Sequence, residues 1–378
     1  MSKSPGIYLH VPFCSAICPY CDFAVTIGGP DRFERFTRAL IQEIARDHGS
    51  WAPFDTVYLG GGTPSALGDE QLGRILEAAR RELAIADGAV VSIEANPEDV
   101  TEAGVRAWSK LGIGRLSLGV QSFDDAELRL LGRRHDPAAA RRAVEIGLAA
   151  GLVVSIDLIY GLPEQAPSSW QSNLEIAVQL EPHHVSCYQL TIEPGTPFAK
   201  RKHRGDWSQL GDDAVAQFFY LTHEFLGGAG YPAYEVSNFA SVAEHRCLHN
   251  RKYWERTPYL GLGPSAHSFN GRDRWWNQRS ETDWLRELQA DRSPEAGRET
   301  LTSRQSALEL VMLGLRTPTG VDLGTGFGDV DCSALLEKNA DTLSRLAEQD
   351  LLRVDGERLV PTLRGMAQAD ALARSIEL

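Results

Sequence analysis

Two periods of apolar residues alternate along this chain. Short β-branched runs begin near Ile7, Thr56, Val90, Arg115, Leu152 and His184. Between them the apolar residues fall three and four apart, as on one face of a helix. Asp31 precedes Phe33, Phe36, Leu40, Ile41 and Ile44; Asp69 precedes Leu72, Ile75, Leu76 and Ala79; Thr101 precedes Val105, Trp108 and Leu111. Asp and Thr at such points can satisfy free amides of a first helical turn. Asp136-Pro137 opens a further helix that Gly151 closes, and Ser168 opens one carrying Trp170, Leu174 and Val178. Six strand–helix units predict an α/β fold with a parallel sheet and right-handed crossovers. That number suits a partial (β/α)6 TIM-like barrel better than the closed eight-unit form, with a doubly wound sheet as the alternative.

Either architecture gathers function at the carboxyl ends of the strands, and polar residues stand at each of them. The first run leads into Cys14, Cys18 and Cys21, and the second into Gly60-Gly61-Gly62-Thr63-Pro64. Glu94 and Asn96 end the third, Gln121 and Ser122 the fourth; Asp157 lies late in the fifth, and Tyr188-Gln189 end the sixth. Any one could be a helix cap or a solvated strand end, whereas six at one end predict a common site. Three thiols within eight residues are soft ligands for an iron–sulfur cluster or zinc. The next cysteine is Cys187, so a cluster held here leaves one iron open for another ligand. A zinc site completed by His10, or three unrelated thiols, remain alternatives on these residues alone. The glycine run admits close backbone approach to a ligand, but it lacks the Lys-Ser/Thr pair of a P-loop and the GxGxxG spacing.

Composition narrows the setting. The 378 residues are 43% apolar and 24% charged, with 38 basic against 51 acidic side chains and a net charge of −13, which argues against a general phosphate-backbone binder. The opening residues Met1 to Gly6 carry no apolar signal region, and the apolar stretch near Leu152 to Leu162 is interrupted by Asp157. A cytoplasmic location with at most peripheral membrane association is expected. Six cysteines, three of them clustered, do not resemble a secreted disulfide framework.

The CxxxCxxC loop followed by Gly-Gly-Thr-Pro resembles the radical S-adenosylmethionine (SAM) enzymes, and from Tyr8 to about His267 the chain is similar to the oxygen-independent coproporphyrinogen III oxidase-like proteins. The resemblance implies a 4Fe-4S cluster on Cys14, Cys18 and Cys21, with SAM chelating the open iron and a reductant protein supplying the electron that cleaves it to methionine and a 5′-deoxyadenosyl radical. It assigns the methionine end of SAM to Gly61, Gly62 and Thr63, packing around the cofactor to Tyr8 and Tyr20, and polar contacts to Glu94, Gln121, Arg133, Asp157 and Gln189. Two departures weigh against porphyrinogen decarboxylation: Phe23 stands where the oxidase pattern has a fourth cysteine, and Tyr8 lies almost at the start. The stretch His249-Asn250-Arg251-Lys252-Tyr253-Trp254 matches the HNxxYW motif of the HemW-type haem chaperones, and Ser117 to Phe123 and Gly261-Leu262-Gly263 also resemble that group. That similarity implies haem binding and delivery to acceptor proteins, with His249 as the candidate iron ligand, Asn250, Tyr253 and Trp254 beside it, and Cys247 and His267 as lesser ligands. The alternative function is the oxidase's own oxidative decarboxylation of coproporphyrinogen III.

These readings divide the chain into a radical SAM core over 1–240, an HNxxYW-containing extension over 241–299 packed on that core, and a C-terminal module over 300–378. In the last, helical patterns at Ser306–Arg316 and Ser333–Glu348, a hairpin around Asp355-Gly356 and a final helix predict a small winged-helix-like α+β domain. Its eight basic and twelve acidic side chains argue against nucleic acid as a partner.

Overall fold

A computed structural model of the protein describes residues 4–324 and 332–377. Six parallel strands form its centre: β1 (Gly6–Val11), β2 (Phe54–Gly61), β3 (Ile85–Ala95), β4 (Ile113–Gln121), β5 (Val153–Tyr160) and β6 (His184–Gln189), each hydrogen-bonded to the next. Helices Pro30–Ile44, Asp69–Glu82, Glu102–Lys110, Pro137–Ala149 and Pro167–Gln179 connect them. Thr101 and Asp136 cap their helices by accepting from the amides of Gly104 and Ala139. Asp31 and Ser168 instead lie inside helices that begin one residue earlier at a proline, where the missing N–H costs nothing.

Strands β1 and β6 do not pair. Beyond β6 lies the short antiparallel β7 (Asn238–Ala240); beyond β1 come β8 (Tyr259–Leu262), parallel to it, and the antiparallel β9 (His267–Phe269), β10 (Asp273–Asn277) and β11 (Glu295–Thr300). The result is one open eleven-stranded sheet, a partial barrel as the six units predict. Residues 241–299 thus extend the sheet as well as pack on it. A buried carboxylate fixes that extension: Glu43, on the first helix, accepts from the Gly263 amide at 2.8 Å, Asn277 Nδ2 at 2.6 Å and Trp284 Nε1 at 3.0 Å. Burial pushes the Glu43 carboxyl up to about 7 despite these donors.

Alternation along the strands sorts the side chains. Ile7, Leu9, Val57, Leu59, Ile93, Leu116, Leu118, Val154, Ile156 and Val185 are buried against the helices in the main core. Full burial of each such side chain contributes about 1.5–3 kcal/mol, so Ile93→Ala would cost about 2–5 kcal/mol. Their neighbours on the other face are polar and point into the barrel. A second apolar cluster, from Ala307 to Ile376, belongs to the C-terminal module. There helix Ser303–Gly314, started by a Thr302/Gln305 capping box, precedes helices Cys332–Lys338 and Ala340–Glu348, the hairpin Leu352–Asp355/Arg358–Pro361 and two short closing helices. Among the described residues no helix is long and apolar enough to cross a membrane.

Candidate functional site

The barrel interior is a cavity of about 570 Å³. At its outer end the chain leaves β1 in a loop pinned by a two-residue pairing of Phe13–Cys14 with Thr26–Ile27, which presents Cys14, Cys18 and Cys21 half-buried and undisulfided. The Thr63 hydroxyl donates to Cys14 Sγ at 3.4 Å and Arg133 Nη1 to Cys18 Sγ at 3.5 Å. Burial raises the Cys14 and Cys21 thiols; the Thr63 donor opposes the rise at Cys14, and the Arg133 charge opposes it at both. Arg133 is held by Asn96 Oδ1 at 2.5 Å and the Gly119 carbonyl at 2.7 Å, which leaves its buried Nε without a partner.

The glycine run after β2 lies against this loop because no side chain fits there. A Cβ on Gly61, at φ +110°, would stand 2.5 Å from the His10 ring, and one on Gly62 would stand 2.7 Å from the Phe13 carbonyl oxygen. Glu94 reaches across from β3, accepting from the Tyr58 hydroxyl at 2.8 Å and the Gly61 amide at 3.1 Å. Burial pushes its carboxyl up to about 7, Asp157 adds to the rise, and the two donors oppose it. Gln121, where β4 breaks register, has φ +66°, a left-handed conformation uncommon outside glycine that turns the strand end into the cavity. Tyr20 lies tilted against Phe198, with 6.2 Å between ring centroids, and burial raises its hydroxyl's pKa, as it does that of Tyr8.

The far wall is aromatic. Tyr58 and His249 stack at 5.1 Å between ring centroids, Tyr8 lies 6.3 Å from each, and Tyr253 meets His249 edge-on at 5.3 Å. Both imidazole nitrogens of His249 are engaged, Nδ1 with Thr56 Oγ1 at 2.9 Å and Nε2 with the Tyr253 hydroxyl at 3.0 Å. Burial and the nearby Lys252 ammonium push its pKa down to about 3, so the ring is neutral.

Most of the candidate residues line this cavity: the three cysteines, Tyr8, Tyr20, Gly61, Gly62, Thr63, Glu94, Gln121, Arg133, Asp157, Gln189, His249, Asn250 and Tyr253. Trp254 does not line it, and neither does His267, which stacks on Trp276; Cys247 does. Polar residues nearer the strand starts, Arg115, Ser117, Ser155, His184 and Ser186, line it too. Attention to strand ends passes over them, although the alternation in Arg115-Leu116-Ser117-Leu118 and His184-Val185-Ser186-Cys187 carries the signal.

The donor set fits a cluster and a polar ligand better than a single ion. Among the described residues no group of three His, Cys, Asp or Glu side chains could hold one metal ion, whereas a cluster takes each thiolate on a separate iron. The unpartnered Arg133 Nε and the glycine cradle provide a donor and space beside the thiols.

The family models for the radical SAM superfamily and the HemN C-terminal domain match residues 8–175 and 301–367. The heme chaperone HemW of Mycobacterium tuberculosis is 36% identical over 378 residues, covering 98% of this chain and 94% of the relative. HemW of Escherichia coli K12 is 36% identical over 71% of each chain. The mitochondrial radical S-adenosyl methionine domain-containing protein 1 of Danio rerio is 33% identical, covering 84% of this chain and 73% of the relative. Among solved structures, the coproporphyrinogen III oxidase HemN of Escherichia coli superposes with a TM-score of 0.86 at 23% identity, over 99% of this chain and 90% of that one. The fold is therefore shared with HemN, and the identity and coverage of its relatives place the chain in the HemW family of radical SAM proteins.

Proposed function

We propose that the protein is a haem chaperone that carries a 4Fe-4S cluster with SAM, binds haem and transfers it to acceptor proteins. One observation carries the reading: three thiols, the glycine cradle and the HNxxYW residues His249, Asn250 and Tyr253 line the same cavity. The relatives' naming as heme chaperones supports it. Cys14, Cys18 and Cys21 would hold the cluster; Gly61, Gly62, Thr63, Glu94, Gln121, Arg133, Asp157 and Gln189 would surround SAM, with Tyr8 and Tyr20 packed beside it. The bound cluster supplies one-electron reduction of SAM, fed by a reductant protein. The chain's own part is to direct the Thr63 and Arg133 donors at Cys14 and Cys18 and to offer Glu94 as acceptor for an amino group.

His249 would ligate haem iron as a neutral imidazole. Its Nε2 becomes free only when the Tyr253 hydroxyl moves away, which costs about 1 kcal/mol for one hydrogen bond. Trp254, outside the cavity, would support the helix that carries His249 rather than touch the porphyrin. The reading places the protein in the cytoplasm, with at most peripheral membrane contact.

The test is anaerobic reconstitution to about four iron and four sulfide per chain, followed by haem titration of wild type and His249→Ala, and incubation with SAM, reductant and coproporphyrinogen III. Haem uptake without porphyrinogen turnover is expected. Formation of protoporphyrinogen would replace this function with the oxidase's, and an unchanged haem spectrum in His249→Ala would remove His249 as ligand.

A further inference from the structure

The inner end of the cavity is lined by Arg115 and Ser155. Arg115 lies on β4 four residues before Gly119, about 13 Å down the strand from the carbonyl that Arg133 grips. It is 5% exposed and lines the cavity. Its Nη1 donates to the His245 carbonyl at 2.7 Å, and among the described residues no carboxylate pairs with it. Asp157, the acidic neighbour, already accepts from the Ser117 hydroxyl at 3.0 Å and from Ser186. His183, His184 and His245 nearby are all kept neutral, by burial first and then by charged neighbours that include Arg115. Burial raises the Asp157 carboxyl, and Arg115 is near enough for its charge to oppose that rise but does not bond it, so the guanidinium keeps donors free to meet an anion in the cavity.

The adjacent strand supplies the second donor. Ser155 Oγ lies 2.7 Å from His184 Nδ1, His184 Nε2 lies 2.8 Å from the Tyr234 hydroxyl, and that hydroxyl accepts from the Cys247 amide at 3.2 Å. With the Tyr234 hydroxyl donating to Nε2, the single imidazole proton sits on Nδ1 facing Ser155, and in that tautomer the serine's own hydrogen is left for a ligand in the cavity. Ser155 pairs in register with Ser117, two residues along β5 from Val153, the partner of Arg115, so the two side chains are diagonal neighbours on one face.

We propose that Arg115 and Ser155 form a carboxylate-binding subsite at the inner end of the cavity, and that it takes a propionate of a porphyrin. This rests on the haem reading. The carboxylate of SAM has the same chemistry, and the experiment separates the two sources. Haem, haem dimethyl ester and SAM are titrated into the reconstituted full-length protein as wild type, Arg115→Met, Arg115→Lys and Ser155→Ala, with the thermal midpoint of each variant measured first. Loss of a charged hydrogen bond corresponds to about 10–100-fold in affinity. Haem affinity should fall by about that factor in Arg115→Met and less in Arg115→Lys and Ser155→Ala, while the ester binds wild type and variants alike. Equal losses for acid and ester, or no loss for acid, ester and SAM alike, overturn the subsite. A loss confined to SAM keeps the subsite and overturns the propionate. If wild type takes up no haem, the chaperone reading fails by itself, and the SAM titration still decides whether Arg115 holds a carboxylate. Should Arg115→Met fail to fold, Arg115→Lys and Ser155→Ala carry the same comparison.

Discussion

The cysteine-loop end of the cavity and its aromatic wall differ in how completely the protein satisfies itself. At the loop, thiols are half-exposed, Arg133 Nε has no partner and Glu94 is a buried carboxylate raised to about 7. On the wall, Tyr58, Tyr8, His249 and Tyr253 stack or meet edge-on, and each imidazole nitrogen of His249 is bonded. Unmet donors and costly charges are what a ligand can relieve. A closed aromatic stack is instead a rigid surface against which something flat can rest. The loop end should therefore respond to substitution through ligand loading, and the wall through small changes in affinity.

The sharpest contrast is Cys18→Ala. Iron and sulfide after anaerobic reconstitution should fall from about four per chain to near zero, while His249→Ala retains the full content; loss of iron in both would erase the difference between the two ends. Next comes Arg133→Met, which removes the donors to Cys18 Sγ, Asn96 and Gly119. SAM affinity by equilibrium dialysis should drop more than about 10-fold, and the ligand-free protein should lose about 1–3 kcal/mol to denaturant because two acceptors are left unpaired.

Glu94 gives an effect of intermediate size that depends on pH. Its carboxyl titrates near 4.5 in the unfolded chain and near 7 when folded, so the folded state holds more protons in between. Its contribution to stability is complete below about 4.5 and is lost as pH rises through about 7, a swing of at most about 3 kcal/mol. Glu94→Gln should flatten that part of the pH dependence of the unfolding midpoint, and a slope unchanged by the substitution would assign it elsewhere. The smallest change is Tyr253→Phe. Freed of its Tyr253 bond, His249 should bind haem up to about 5-fold tighter, whereas weaker binding would mean that the histidine serves to hold the tyrosine.

Regions with strong periodicity were legible in the sequence. All six central strands and the helices between them follow from apolar spacing, and the site follows from what stands at the strand ends. Strand β8 is four residues long and contains glycine, so no periodicity marks it, and its pairing with β1 depends on contacts made by a distant segment. Glu43 reads as one more helix-surface acid until Gly263, Asn277 and Trp284 are brought to it. Arg115 was hidden for a different reason: a charged residue opening a strand looks solvated, and only closure of the barrel face buries it.

Because β1 and β6 never pair, the barrel has no fixed circumference. In a closed barrel, strand number, tilt and stagger set the diameter, and any widening must break a ladder. Here the seam is spanned by the segment between β7 and β8, whose His245, His249 and Lys252 bond Arg115, Thr56 and Asp55. The girth of the cavity is therefore set at the seam by a few side-chain bonds rather than by a ladder.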